Sequence, residues 1–227
     1  MALAPVAAQP ASAAPQESDG QSPSAVRNDL FLTGPNEGRP ESIAVNYLRT
    51  NPSRYGVSSA DLSDLVVASS YTSSHNGVTH VNLAQRYKNL EVFGATATIN
   101  IAKDGSVIFV GHSLAPGLQQ APSAAAALDA VDAVESAAKK LRLKAPRSPR
   151  VLSRSADAAQ RTVVSDSGIS EQPIPARLGW QHTDDGLRMA WQLVIDEVDD
   201  SHLWNVTIDA KTGEMLEVDD WTSHDNL

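Results

Sequence analysis

Between Leu65 and Leu114 the chain breaks into four runs rich in Val, Ile, Thr and Tyr, separated by turn residues, and this rhythm restricts the fold more than any other feature. The runs are LVVASSYT, THVNLAQRY, LEVFGATATINIA and SVIFVGHSL, joined at His75-Asn76-Gly77, Lys88-Asn89 and Lys103-Asp104-Gly105. Asn-Gly and Asp-Gly supply the positive backbone dihedrals of tight hairpins, so the stretch is expected to be an antiparallel meander. In ATATINIA, alternation puts Ala95, Ala97, Ile99 and Ile101 on one face and Thr96, Thr98 and Asn100 on the other. One face of the sheet is therefore expected to be wet.

Helical signals flank this meander. In PESIAVNYLRTN, Pro40 suits a first helical turn, and Ile43, Tyr47 and Leu48 share a face before Pro52 stops the run. A one-turn helix is expected at SSADLSDL, capped by Ser58 or Ser59. The stretch PSAAAALDAVDAVESAAKKLRLK reads as a longer helix with Ser123 as N-cap, acids toward its start and bases at its end. Leu128, Val131, Val134 or Glu135, Ala138 and Leu141 approximate its apolar stripe. A polar passage from Ser153 to Pro175 follows, with at most one strand, near QRTVVSD. The last third returns to sheet, with strands at ARLGWQHT, LRMAWQLVIDEV, HLWNVTIDA and EMLEVDDWT, and turns at Asp184-Asp185-Gly186, Val198-Asp199-Asp200-Ser201 and Lys211-Thr212-Gly213. Helix and sheet, then helix and sheet, is an α+β order: two lobes, each a helix packed on an antiparallel sheet.

Composition narrows the partners. With 18 Lys+Arg against 27 Asp+Glu, the net charge of -9 points away from nucleic acid and anionic membrane and toward another protein. The chain has no cysteine, hence no disulfide and no thiolate for catalysis or for a Cys-based zinc site. Its small, apolar N-terminus contains Ala11-Ser12-Ala13, a small-x-small site of the kind a signal peptidase cuts, and reads as the end of a signal peptide. Residues 14–38, rich in Pro, Ser, Gly and acid, read as a mobile lead-in, with order expected to begin at Pro40.

No reactive centre accompanies this sheet. An HExxH zinc helix, a Gly-x-Ser-x-Gly elbow, a phosphate loop and a GxGxxG fingerprint are all missing from the sequence. GHSLAPG, from Gly111 to Gly117, lies at a strand end before Pro and is no nucleophile elbow. His75 and His80 flank a hairpin without a third ligand, so surface histidines are the better reading. The paired acids fall mostly in turns, where Asp bonds its own backbone, and lack the spacing of a calcium loop. Trp180, Trp191 and Trp204 lie in expected strands and read as packing residues, whereas Trp221, beside Asp219 and Asp220, is placed to dock on a partner.

The passage HVNLAQRYKNLEVFGATATINIAKDGSVIFVGHSL resembles the fungalysin/thermolysin propeptide domain, with Gln85, Tyr87, Val92, Phe93, Gly94, Ala95, Asp104, Gly105 and Ser113-Leu114 in matching places. The turn Gln85-Arg86-Tyr87-Lys88-Asn89 departs slightly from the family pattern, which has Gly after the Tyr. The tail, LRMAWQLVIDEVDDSHLWNVTIDAKTGEMLEVDDWT, looks like the second, PepSY-type (cystatin-like) lobe of such propeptides, most recognisably at Trp204 and Asp-Ala-Lys-Thr-Gly-Glu. The resemblance divides the chain into residues 1–38, a signal-peptide remnant and lead-in; 39–118, the propeptide-like lobe; 119–222, a helix plus PepSY-like lobe; and 223–227, a tail toward a catalytic domain absent from this chain. It implies a propeptide, chaperone and inhibitor of a secreted fungalysin-like zinc metallopeptidase, not itself an enzyme, with no catalytic or metal residue here and zinc expected only in the peptidase domain. The alternative is a free-standing secreted PepSY-type binding or inhibitor module. Gln85, Tyr87 and Trp221 are the candidate peptidase contacts, although ordering the hairpin suits Gln85 and Tyr87 better. Gly94, Asp104, Gly105 and Gly213 are expected to shape turns.

Overall fold

The computed structural model describes residues 31–121, 125–198 and 202–222. Among these residues the fold is α+β, one ten-stranded sheet carrying two α-helices. Helix α1 spans Pro40–Thr50; β1 to β4 are Leu65–Thr72, Thr79–Tyr87, Leu90–Ile101 and Val107–His112. Helix α2 spans Ala130–Leu141; β5 to β10 are Val151–Arg154, Thr162–Val164, Ile174–Thr183, Gly186–Asp196, Leu203–Asp209 and Met215–Asp220. The main path through the sheet is β1-β2-β3-β7-β8-β9-β10, with β4 paired to β3 and the β5–β6 hairpin paired to β7.

Strand β3 is long enough to serve two neighbours along one edge. Its C-terminal half pairs antiparallel with β4, from Ala97 opposite His112 to Ile101 opposite Val107. Nearer its start, Val92 meets Trp180 of β7 in a parallel bridge. The two antiparallel halves of the sheet therefore join through a short seam, and each half has its own buried cluster.

The first cluster gathers Leu62, Val81, Leu83, Ile99, Ile101 and Val107 under α1, which buries Ile43, Ala44, Tyr47 and Leu48. Pro40 occupies the first turn of α1; at the other end the Asn51 side chain donates to Tyr47 O at 2.8 Å, and Pro52 opens a short 3-10 turn. The second cluster centres on Trp180, Trp191, Leu193, Ile195, Val206 and Ile208 under α2. Asp129 caps α2: its carboxylate accepts from Val131 N and Asp132 N, while Asp132 accepts from Asp129 N at 2.9 Å. Four of the five buried positions of α2, Ala130, Ala133, Val134, Ala137 and Ala138, are alanines, which lets the helix lie close to the sheet.

Several expectations are corrected here. Ser123 lies outside the described residues, and α2 begins only after Asp129, with its buried face turned from the expected stripe so that Val131 and Leu141 are merely half-buried. SSADLSDL forms successive turns rather than a helix, although Ser58 and Asp61 bond as a helix cap would: Asp61 accepts from Ser58 N and Oγ, and Asp61 N donates back to Ser58 Oγ. Order precedes Pro40, since Leu32 N donates to Val107 O at 2.7 Å and Thr33 Oγ1 accepts from Val107 N, laying this segment along β4. The polar passage holds two short strands, β5 and β6, where one was expected. The signal-peptide site and the tail 223–227 lie outside the described residues.

Candidate functional surface

Gln85, near the end of β2, is fully buried and acts as a clamp. Its Nε2 donates to Asp61 O at 3.0 Å and Ala115 O at 2.9 Å, and its Oε1 accepts from Ala115 N at 2.8 Å. The Asp61 carboxylate extends the clamp by accepting from Leu118 N at 2.8 Å. One polar side chain thus fixes both the turn before β1 and the segment after β4. This corrects its assignment as a peptidase contact, because a side chain with no exposed surface cannot reach a partner.

Tyr87 lies two residues on, at the seam. Its ring packs 5.7 Å from that of Trp180, whose indole Nε1 donates to Tyr87 O at 2.9 Å. Beside it, Arg177 donates to both Glu91 carboxylate oxygens at 2.6 and 3.2 Å and lies over the Phe93 ring. Gly179 lets the strands close, since a Cβ there would stand 2.3 Å from Phe93 Cζ. Glu91, Arg177 and Gly179 were not singled out in the sequence, and Phe93 only as a motif position; a glycine inside the strand run ARLGWQHT was the available signal of close approach.

Trp221 is 54% exposed and follows β10, at the other end of the strand order from β2. The structure therefore separates Trp221 from Gln85 and Tyr87, which share β2. Nearby, His202 Nδ1 lies 2.6 Å from Asp220 Oδ2 and its ring stacks on Trp204. Hydrogen bonds from the Thr222 hydroxyl and amide, aided by His202, hold the Asp220 carboxyl well below the usual range. Trp180 and Trp191 are core residues as expected, while Trp204 is only half-buried and donates to Glu197. His80 Nδ1 lies 2.8 Å from Asn100 Oδ1, with its ring stacked on Tyr71. Among the described residues no three His, Asp or Glu converge as metal ligands, and no helix is long and apolar enough to cross a membrane.

The turns repeat one device in the two halves. Asp104 accepts from Ser106 N ahead of β4, with Gly105 at φ +80°. Asp209 accepts from Lys211 N and Thr212 N ahead of β10, and its other oxygen accepts from Arg188 Nε at 2.7 Å. Gly94 and Gly213 also have positive φ, where the pairing of β3 with β2 shifts register and at the Asp209 turn.

Burial alone raises the pKa of Asp61 and of Asp209, but hydrogen bonds outweigh it. The donors are the Ser58 hydroxyl and amide with the Leu118 and Gly117 amides for Asp61, and the Thr212 and Lys211 amides, the Thr212 hydroxyl and Arg188 for Asp209. Both carboxyls sit below their ordinary 3.8, so their stabilisation is complete above that value and lost as pH falls through the folded pKa. The urea midpoint is expected to drop as the pH falls below about 4, and Asp61→Asn with Asp209→Asn to flatten that drop. An unchanged slope in the double variant would remove these two groups from the account.

Comparison with known proteins places this geometry. Residues 63–114, which hold β1 to β4 and Gln85 but not its partners Asp61 and Ala115, match the Fungalysin/Thermolysin Propeptide Motif. "Extracellular metalloproteinase 1" of Phaeosphaeria nodorum is 30% identical over 179 residues, 75% of this chain and 27% of that protein. "Extracellular metalloproteinase mep" of Aspergillus fumigatus is 32% identical over 148 residues, 62% of this chain and 22% of that protein. Among solved structures, the Bacillus megaterium YpeB C-terminal domain aligns with a TM-score of 0.35 at 13% identity, covering 85% of this chain and 69% of that one, too slight a likeness to carry an argument. By motif and by relatives, the chain is similar to the propeptide region of fungalysin-type proteases. It spans about a quarter of the length of these curated relatives.

Proposed function

We propose that this propeptide assists the folding of a secreted fungalysin-like zinc metalloendopeptidase and blocks its active site until it is cut away. The observation that carries the reading is the propeptide motif over residues 63–114, the stretch that the Gln85 clamp ties into a rigid sheet. A folded inhibitor works through a stable surface and needs no nucleophile of its own. The 227 residues contain no HExxH, and the described residues do not fit a metal site, so catalysis and zinc are assigned to the partner domain. Secretion is supported by relatives that are named extracellular.

In this reading residues 39–118 are the propeptide lobe and residues 119–222 the PepSY-type, cystatin-like lobe, with Leu90, Val92, Ala95, Ala115 and Leu118 of the first packing into the second buried cluster. The test is a titration of the purified chain against a fungalysin-like peptidase, following peptide hydrolysis, with refolding of the denatured peptidase in parallel. Saturable inhibition and a raised refolding yield are expected. If neither occurs up to high micromolar chain, the reading gives way to a free-standing binding module.

A further inference from the structure

Charge is distributed very unevenly along this acidic chain. Eight of its 18 Lys+Arg fall within residues 139–161, where Asp157 is the one carboxylate. That stretch carries a net +7 and the remaining residues -16. It runs from the last turn of α2 through a loop into the β5–β6 hairpin, and all eight basic residues are exposed.

Strand β5 is shaped as an acceptor for another strand. Among the described residues it pairs with β6 alone, so its other edge faces outward. The loop before it is fixed, since Arg147 N donates to Ser167 O and Ser165 N to Arg150 O. Its own residues are exposed, Val151 at 39% and Leu152 at 50%, an unusual pair of apolar side chains on a free edge. Next to it lies a groove of about 500 Å³ with an apolar floor that includes Val163, Pro175 and Val194, and a rim that includes Arg154, Arg161 and Arg177. Arg161 is ion-paired with Asp157 and Arg177 with Glu91, so both guanidinium groups are held in place at the rim.

From this juxtaposition we infer that the outer edge of β5 and its basic groove dock an extended acidic segment of the peptidase partner, whose apolar side chains enter the groove while its carboxylates meet the arginines. The inference rests on the propeptide reading for the identity of the partner. Backbone pairing supplies affinity in such strand addition, and alternate side chains supply selection. The charge contrast selects acidic over basic segments. Nucleic acid fits less well, because the site joins a free strand edge to an aliphatic floor and offers no aromatic side chain for a base to stack on.

The experiment compares the wild-type chain with Arg147→Glu/Arg150→Glu/Arg154→Glu and with a control of equal charge change, Arg39→Glu/Lys88→Glu/Lys211→Glu. Circular dichroism and urea midpoints check that each variant folds. Half-inhibition of a fungalysin-like peptidase is expected to weaken by roughly 30-fold in the β5 variant and by much less in the control. A peptide of alternating glutamate and valine is expected to bind the wild type in a salt-dependent way and to lose binding in the β5 variant. If both variants inhibit like the wild type, the docking surface is wrong and the propeptide reading stands. If the wild type binds the peptide but does not inhibit, the peptidase is wrong and the acidic-strand site stands. Tighter binding of a short DNA oligonucleotide than of the acidic peptide would overturn the proposal in favour of nucleic acid.

Discussion

Gly179→Ala is expected to cost about 3 kcal/mol of unfolding free energy, because the new methyl group has no room at the seam. A Cβ there would stand 2.3 Å from Phe93 Cζ, 2.5 Å from Phe93 Cε1 and 2.9 Å from Glu91 O. The last contact is with backbone, and the Phe93 ring is itself pinned beneath Arg177, whose guanidinium is held by Glu91. Relief therefore means moving β3 away from β7, where Val92 opposite Trp180 is the one paired position between these strands. A double-mutant cycle tests the cause. Phe93→Ala is expected to cost about 3 kcal/mol alone through the cavity it leaves, and to reduce the further cost of Gly179→Ala to about 1 kcal/mol by removing the ring clash. Additive costs would show that the ring is not what excludes the methyl group.

How much of this was legible in the sequence depends on the range of the interaction. Strands β1 and β2 match the expected runs residue for residue, because local signals fix them: β-branched residues inside, and Asn76-Gly77 and Lys88-Asn89 at their ends. Lys88 and Asn89 both take positive φ, as a tight hairpin requires. Alternation along β3 likewise separates buried Ala95, Ala97, Ile99 and Ile101 from their more exposed neighbours. The phase of α2 was misread because alanine signals burial weakly, so Leu128, Val131 and Leu141 drew the stripe away from Ala130, Ala133 and Ala137. Strand β5 left no pattern at all: its four residues are exposed, and tertiary pairing with β6 alone makes them a strand.

The site was less legible than the fold for the same physical reason. Glu91 and Arg177 stand 86 positions apart, and nothing local to either predicts the pair. Gln85 drew notice as part of a motif, yet its role follows from partners 24 and 30 positions away. Gln85, a motif residue on an inward strand face, holds the scaffold. The turn aspartates were easier to read, since Asp104 and Asp209 bond amides only two or three residues on.

Gln85→Leu is expected to destabilise the chain by about 3 kcal/mol or more, since it keeps the bulk but leaves Asp61 O, Ala115 O and Ala115 N without their partner in a buried site. The measurement is urea unfolding followed by Trp fluorescence, and a loss under about 0.5 kcal/mol would mean that relaxation or water replaces the clamp. Gln85→Glu gives an independent signature. Its carboxylate can still accept from Ala115 N, but it faces the two carbonyls that Nε2 served and lies near the Asp61 carboxylate, so its folded pKa is expected to rise. A raised carboxyl pKa means that the folded state binds more protons than the unfolded one, so stability should increase as pH falls from about 7 to about 5. The wild type, with its depressed Asp61 and Asp209, has no such gain and weakens only under stronger acid. Opposite pH slopes from one substitution would place Gln85 at the centre of the clamp. If Gln85→Glu chain that remains folded then inhibits a fungalysin-like peptidase as well as wild type does, the residue acts on the partner only through the stability of the sheet, as its burial requires.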